Sequence, residues 1–242
     1  NMSGTLYGIG LGPGDPELIT LKAVKLLNGM SHVFVPKARG SESGLASVIA
    51  APYLRDDAIV IDLEFPMKRD ELEVKRQWKK NCELICSLLD SGKDAAFVTL
   101  GDPTVFSTYL YLLEALGERT SGFNSITVPG ISAFSAAASL TNFPLGYSDM
   151  PLTVLPAAED PDCTAKSLQS GGVFVFMKIG RRLKSVLAGI EKTKDVRRIS
   201  FVGRAGLKGQ IVLTDLNEIK KLDEKSGNLS VLLVQVDATG KI

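Results

Sequence analysis

The sequence has a single histidine, His32, and only three cysteines, Cys82, Cys86 and Cys163. A lone imidazole in a helix-to-strand connection leaves neither a His-rich metal site nor a Ser-His-Asp triad. An odd number of cysteines without metal-type pairing argues against a disulfide framework. Charge of either sign is not in excess: 28 Lys and Arg stand against 27 Asp and Glu, a net of +1. With no basic or acidic block along the chain, nothing favours nucleic acid, and a small-molecule partner is expected. No apolar run is long enough to span a bilayer and no signal segment is recognisable, so the expectation is a soluble cytoplasmic protein.

Two nucleotide signatures are also missing. The stretch "GTLYGIGLGPGDPELIT", Gly4 to Thr20, places glycines at 8, 10, 12 and 14. Counted from Gly8, the third glycine of a dinucleotide fingerprint is replaced by Pro13, which has no N–H to give a pyrophosphate. No Lys-Ser or Lys-Thr closes a glycine-rich run, so there is no P-loop. The second strand ends basic, in "HVFVPKARG", where an acidic ribose partner belongs. The loop is shaped for close backbone approach to a ligand other than a pyrophosphate.

What is present is alternation. The runs "TLYGIGL", "HVFVPK", "AIVIDLEF", "DAAFVTL" and "SITVPG" read as strands separated by helical segments, which predicts an α/β fold with a mostly parallel sheet. Their continuous apolar character fits strands buried on both faces. In "DELEVKRQWKKNCELICSLLDSG", Trp78, Cys82, Ile85 and Leu89 form one helical stripe, so the two nearby cysteines read as core thiols. The pattern pauses at "TNFPLGYSDMP", which predicts a boundary between an N-terminal α/β domain, 1–145, and a C-terminal α/β domain, 146–242, with a mixed sheet and a hairpin.

Three turns share one chemistry. "GPGDPE", "LGDPTVFST" and "VPGISAFS" each follow an apolar strand and lead into a helix. In a parallel sheet such turns lie at the carboxyl edge, where open α/β folds bind ligands. Asp15 or Thr20 can cap the first helix, and Asp102 with Pro103 repeats the pairing of cap and first-turn proline.

The segments "GIGLGPGDPELITLKA", "FVTLGDPTVFSTYLYL", "TVPGISAFSAAASL", "VFVFMKIGRRL" and "VGRAG", in this order over nearly the whole chain, resemble the tetrapyrrole methyltransferase family of cobalamin biosynthesis. The segments "VPKARGSES", "DLEFPM" with a tryptophan downstream, and "MKIGRRL" are most similar to its precorrin-2 and cobalt-precorrin-2 C20-methyltransferases. The resemblance implies two α/β domains with S-adenosylmethionine in the cleft between them, a tetrapyrrole substrate, and a homodimer. It implies cofactor contacts at Pro13, Leu100, Gly101, Asp102, Val105, Ser132, Ala133, Met177 and Ala205. Gly203 departs from the pattern, standing where many members have an acidic residue.

Methyl transfer from a sulfonium needs an aligned nucleophile and a dry site, and the electron-rich macrocycle is itself the nucleophile. Its rim carboxylates call for cations, arginine above lysine. Lys37, Arg39, Arg181 and Arg182 are the candidate substrate anchors, with Lys178 and Arg204 similarly placed after strands. No catalytic base is identified, because Asp102 is equally explained as a cofactor-positioning or capping residue. An NADP oxidoreductase, a non-catalytic tetrapyrrole carrier, and a methyltransferase of the same fold acting on another carbon are the alternative readings.

Overall fold

A computed structural model describes residues 4–38, 44–65, 71–119, 122–147 and 149–237. The chain divides into two compact units, Asn1–Ser132 and Ala133–Ile242.

The first unit is built on five strands, β1 (Thr5–Gly10), β2 (His32–Ala38), β3 (Ile59–Phe65), β4 (Ala95–Thr99) and β5 (Asn124–Val128). They pair in the order β3-β2-β4-β1-β5, every neighbour parallel. Parallel pairing requires crossovers, and α1 (Leu21–Gly29), α2 (Leu45–Ala50), α3 (Glu71–Asp90) and α4 (Thr108–Arg119) supply them. All of β4 is buried, as its apolar run predicts. The outer strands differ: β3 leaves Ile59 and Val60 exposed, and β5 is exposed from Asn124 to Thr127. An apolar run records β propensity, whereas burial on both faces depends on position in the sheet.

Leu6, Phe34, Phe97, Cys82, Ile85, Leu89, Tyr109 and Leu112 pack into one core cluster. The helical stripe is therefore the inward face of α3, and Trp78 packs at its edge. The Trp78 ring lies 4.8 Å from Phe65 between centroids, so the tryptophan downstream of "DLEF" holds the end of β3 onto α3. Tyr109 stacks on Phe97 at 5.8 Å.

The second unit begins with α5 (Ala133–Thr141) and continues through β6 (Leu152–Pro156), α6 (Pro161–Leu168), β7 (Gly172–Met177) and α7 (Leu183–Glu191). It closes with β8 (Val196–Gly203), β9 (Ile211–Leu213), α8 (Leu216–Lys220) and β10 (Ser230–Val236). The sheet order is β6-β7-β10-β8-β9. Only β6–β7 is parallel, and β8–β9 is the expected hairpin. Phe174, Phe176, Phe201, Leu232 and Val234 meet Leu168, Leu183, Val186 and Ile190 of the covering helices in a second core. Burying each phenylalanine contributes about 1.5–3 kcal/mol. Helix α5 packs on β8 and β10, so the first unit ends at Ser132, ahead of the Pro/Gly segment.

Candidate functional site

In the first unit the loops after β1 and β4 are joined backbone to backbone. Thr99 O accepts from Leu11 N at 2.9 Å, and Gly101 N donates to Gly12 O at 2.7 Å with the reciprocal bond at 3.3 Å. The third loop closes on this pair through glycine. A Cβ on Gly130 would run into Gly101 O, and one on Gly10 would sit 2.6 Å from Gly130 N and 2.7 Å from Gly101 O. Only glycine at both positions permits so close an approach. The Asp102 carboxylate completes the junction: Oδ1 accepts from Thr104 N at 2.8 Å and Oδ2 from Gly130 N at 3.1 Å.

Pro13, Leu100, Gly101, Asp102 and Val105 thus belong to connected loops at the carboxyl edge of β1 and β4. Pro13 and Gly101 are buried, while Leu100, Asp102 and Val105 are half-buried. Ser132 is buried just beyond the Gly130 turn, and Ala133 opens α5. Two local roles differ from the sequence expectation. Asp102 does not cap α4: residues 103–106 form turns, and Ser107 accepts from Tyr109 N at 3.1 Å to start the helix. Asp15 and Thr20 both cap, Asp15 a short 3₁₀ turn at Pro16–Leu18 and Thr20 helix α1. Gly8 has a packing role, because a Cβ there would enter the Tyr109 ring.

The second-unit candidates sit after strands. Met177 ends β7 half-buried, its carbonyl accepting from Ala157 N at 2.8 Å. Ala205 is buried in the turn after β8. The neighbouring Arg204 has φ of +53° and turns its guanidinium back, Nε donating to Lys208 O at 2.9 Å.

Among the cations, Lys37 is engaged by Asp62 of the adjacent strand at 3.0 Å. Arg182 donates to Glu159. Lys178 and Arg181 are exposed, and Arg181 has no partner among the described residues. Arg39 lies outside the described residues. Neither sheet edge carries a metal-type cluster: among the described residues no group of three His, Cys, Asp or Glu is placed to hold a metal ion. Nor is any described helix long and apolar enough to cross a membrane. The Asp102–Gly130 bond and the Gly10–Gly130 contact are invisible in the sequence, since each joins residues far apart along the chain.

The architecture recurs in known proteins. A family model described as Tetrapyrrole (Corrin/Porphyrin) Methylases matches residues 5–220. The chain is 32% identical over 231 residues to a probable cobalt-precorrin-2 C(20)-methyltransferase of Methanocaldococcus jannaschii, covering 95% of each. It is 29% identical over 218 residues to the cobalt-precorrin-2 C(20)-methyltransferase of Salmonella typhimurium, covering 90% of this chain and 91% of that one. The crystal structure of uroporphyrin-III C-methyl transferase from Thermus thermophilus, complexed with S-adenyl homocysteine, shares the fold. It aligns with a TM-score of 0.67 at 21% identity over 96% of this chain and 92% of that one. Because the family match runs from the first residue of β1 to the last of α8, taking in both units, the chain belongs to the tetrapyrrole methylase family.

Proposed function

We propose that this protein transfers a methyl group from S-adenosylmethionine to C20 of precorrin-2 or its cobalt-containing counterpart, a step of cobalamin biosynthesis. The observation that carries the reading is the junction of three Gly/Pro loops at the carboxyl edge of a parallel sheet, in a chain whose full-length relatives are named for that reaction.

The residues present fit the cofactor. The loops offer main-chain groups and small or compact side chains, Pro13, Gly101, Val105 and Ser132, and the acid among them, Asp102, is already bonded to two backbone N–H groups. Such a donor set suits a ligand held by peptide groups in a water-poor site. Met177, Ala133 and Ala205 are assigned to the cofactor by family resemblance.

S-adenosylmethionine supplies a methyl carbon activated by a sulfonium. The protein's own work is positioning: main chain holds the donor, cations hold the rim carboxylates, and apolar walls exclude water. Among the cations, Arg181 is the foremost candidate for a carboxylate, since its side chain is exposed and not committed within the described residues. The homodimer is proposed from family resemblance alone.

The reading is tested by supplying the protein with metal-free and cobalt-loaded substrate together with S-adenosylmethionine. Methyl transfer to at least one is expected, and the faster of the two identifies the natural substrate. No transfer to either, with cofactor bound, would favour a carrier.

A further inference from the structure

We infer that Asp102 is a positioning residue, which acts by tying the loop after β5 to the loop after β4 and neither receives the substrate's proton nor touches the methyl group. The inference rests on the methyltransferase reading above and deepens it. An acid in a loop beside a reacting carbon is the obvious candidate for a general base, and the hydrogen bonds argue against that role. Oδ1 accepts from both the backbone N and the hydroxyl of Thr104, at 2.8 and 2.5 Å. Oδ2 accepts from Gly130 N, across 28 residues of chain, at 3.1 Å. A proton arriving on Oδ2 would take the charge from the acceptor of the Gly130 N–H and weaken the tie.

The tie matters because Gly130 is wedged between two other loops. Its Cα is packed so tightly against Gly10 that an added Cβ would lie 2.9 Å from the Gly10 Cα and carbonyl carbon and would strike Gly101 O. Gly101 is in turn bonded to Gly12 in both directions. The peptide planes at 10–12, 101 and 130 are therefore one interlocked unit, and Asp102 is the side chain that fixes the third member to the second. Removing the tie lets the Gly130 peptide rotate away without unfolding the sheet, whose β1–β4 and β1–β5 ladders remain.

Asp102→Asn tests this at constant volume. Whichever way the amide turns, its NH2 opposes one of the two N–H donors, and retention of the Thr104 bond leaves the Gly130 N–H facing another donor. In the unmodified protein the Gly130 amide is expected to exchange with solvent at least tenfold more slowly than the exposed Gly122 amide. In the variant that protection is lost, while the Leu6 and Ile9 amides of β1 stay protected. Affinity for S-adenosylhomocysteine should fall at least tenfold. The KM for S-adenosylmethionine should rise to match, with kcat reduced less than threefold and the pH profile of transfer unmoved.

Fast exchange at Gly130 in the unmodified protein would overturn the inference, and that measurement decides even if the variant fails to fold. So would an affinity in the variant within twofold of the original. A loss of kcat beyond a hundredfold at unchanged affinity would make Asp102 the proton acceptor. Failure of the unmodified protein to bind S-adenosylhomocysteine would sink the methyltransferase reading while leaving the exchange result to judge the tie.

Discussion

Arg182 donates from Nη2 to Glu159 Oε1 at 3.0 Å, which separates the roles of two consecutive arginines that are indistinguishable in the sequence "GRRL". Arg182 already has a carboxylate, and Arg181 in the same 3₁₀ turn is exposed. Arg181→Ala should therefore weaken tetrapyrrole binding by about 1.5–3 kcal/mol, one charge-assisted hydrogen bond, with S-adenosylhomocysteine affinity unchanged in calorimetry. Equal losses for both ligands would make Arg181 structural.

Glu159→Gln breaks the pair on its exposed side. Glu159 is 81% exposed, so the pair contributes about 0–1 kcal/mol to stability. The melting temperature should move by no more than about 2–4 °C. If the freed Arg182 then strengthens substrate binding, Glu159 is a competitor for the same guanidinium; a larger loss of stability would contradict the assignment of the pair to the surface.

Gly8→Ala should destabilise the first unit by about 1–3 kcal/mol, the usual cost of overpacking, because the new methyl enters the buried Tyr109 ring. Denaturant melts of Gly8→Ala, Tyr109→Leu and the double variant give the coupling. The double variant is expected to recover part of the loss. Additive effects would show that the two residues do not meet.

His32 provides a pH-dependent contribution that can be followed at one resonance, as the chain has no other histidine. Burial first, and the charge of Lys93 second, hold its imidazole below the ordinary value. The unfolded chain therefore binds the proton first, and stability falls as the pH drops from about 6.5 through the lower folded value. His32→Gln should flatten that part of the stability curve. A His32 resonance that titrates above the ordinary value would reverse the sign.

Much of this was legible in the sequence for physical reasons that can be named. The run Ala95–Thr99 is apolar at every position but the last, and a strand buried on both faces is what such a run forms. The Cys82, Ile85 and Leu89 stripe has helical spacing and lies inward. The ownership of α5 was not legible, because "AFSAAASLT" is small and apolar around much of its girth and does not declare which sheet it covers. The edge position of β5 was hidden for a related reason: "SITV" has strand propensity, and nothing in it says that one side lacks a neighbour. At the end of β1, Gly8 makes room for Tyr109 and Gly10 for Gly130, a distinction that exists only once the strand meets α4 and the loop after β5. The "GDP" turn looks like a helix cap until Gly130 arrives as the second donor.

A single methyl is placed on C20 of the macrocycle. The most direct test is transfer from S-adenosylmethionine carrying a ¹³C-methyl, followed by carbon NMR of the product. The C20 meso proton is expected to disappear and the labelled methyl to couple to that bridge carbon. A label at a pyrrole β-carbon or at another bridge would contradict it.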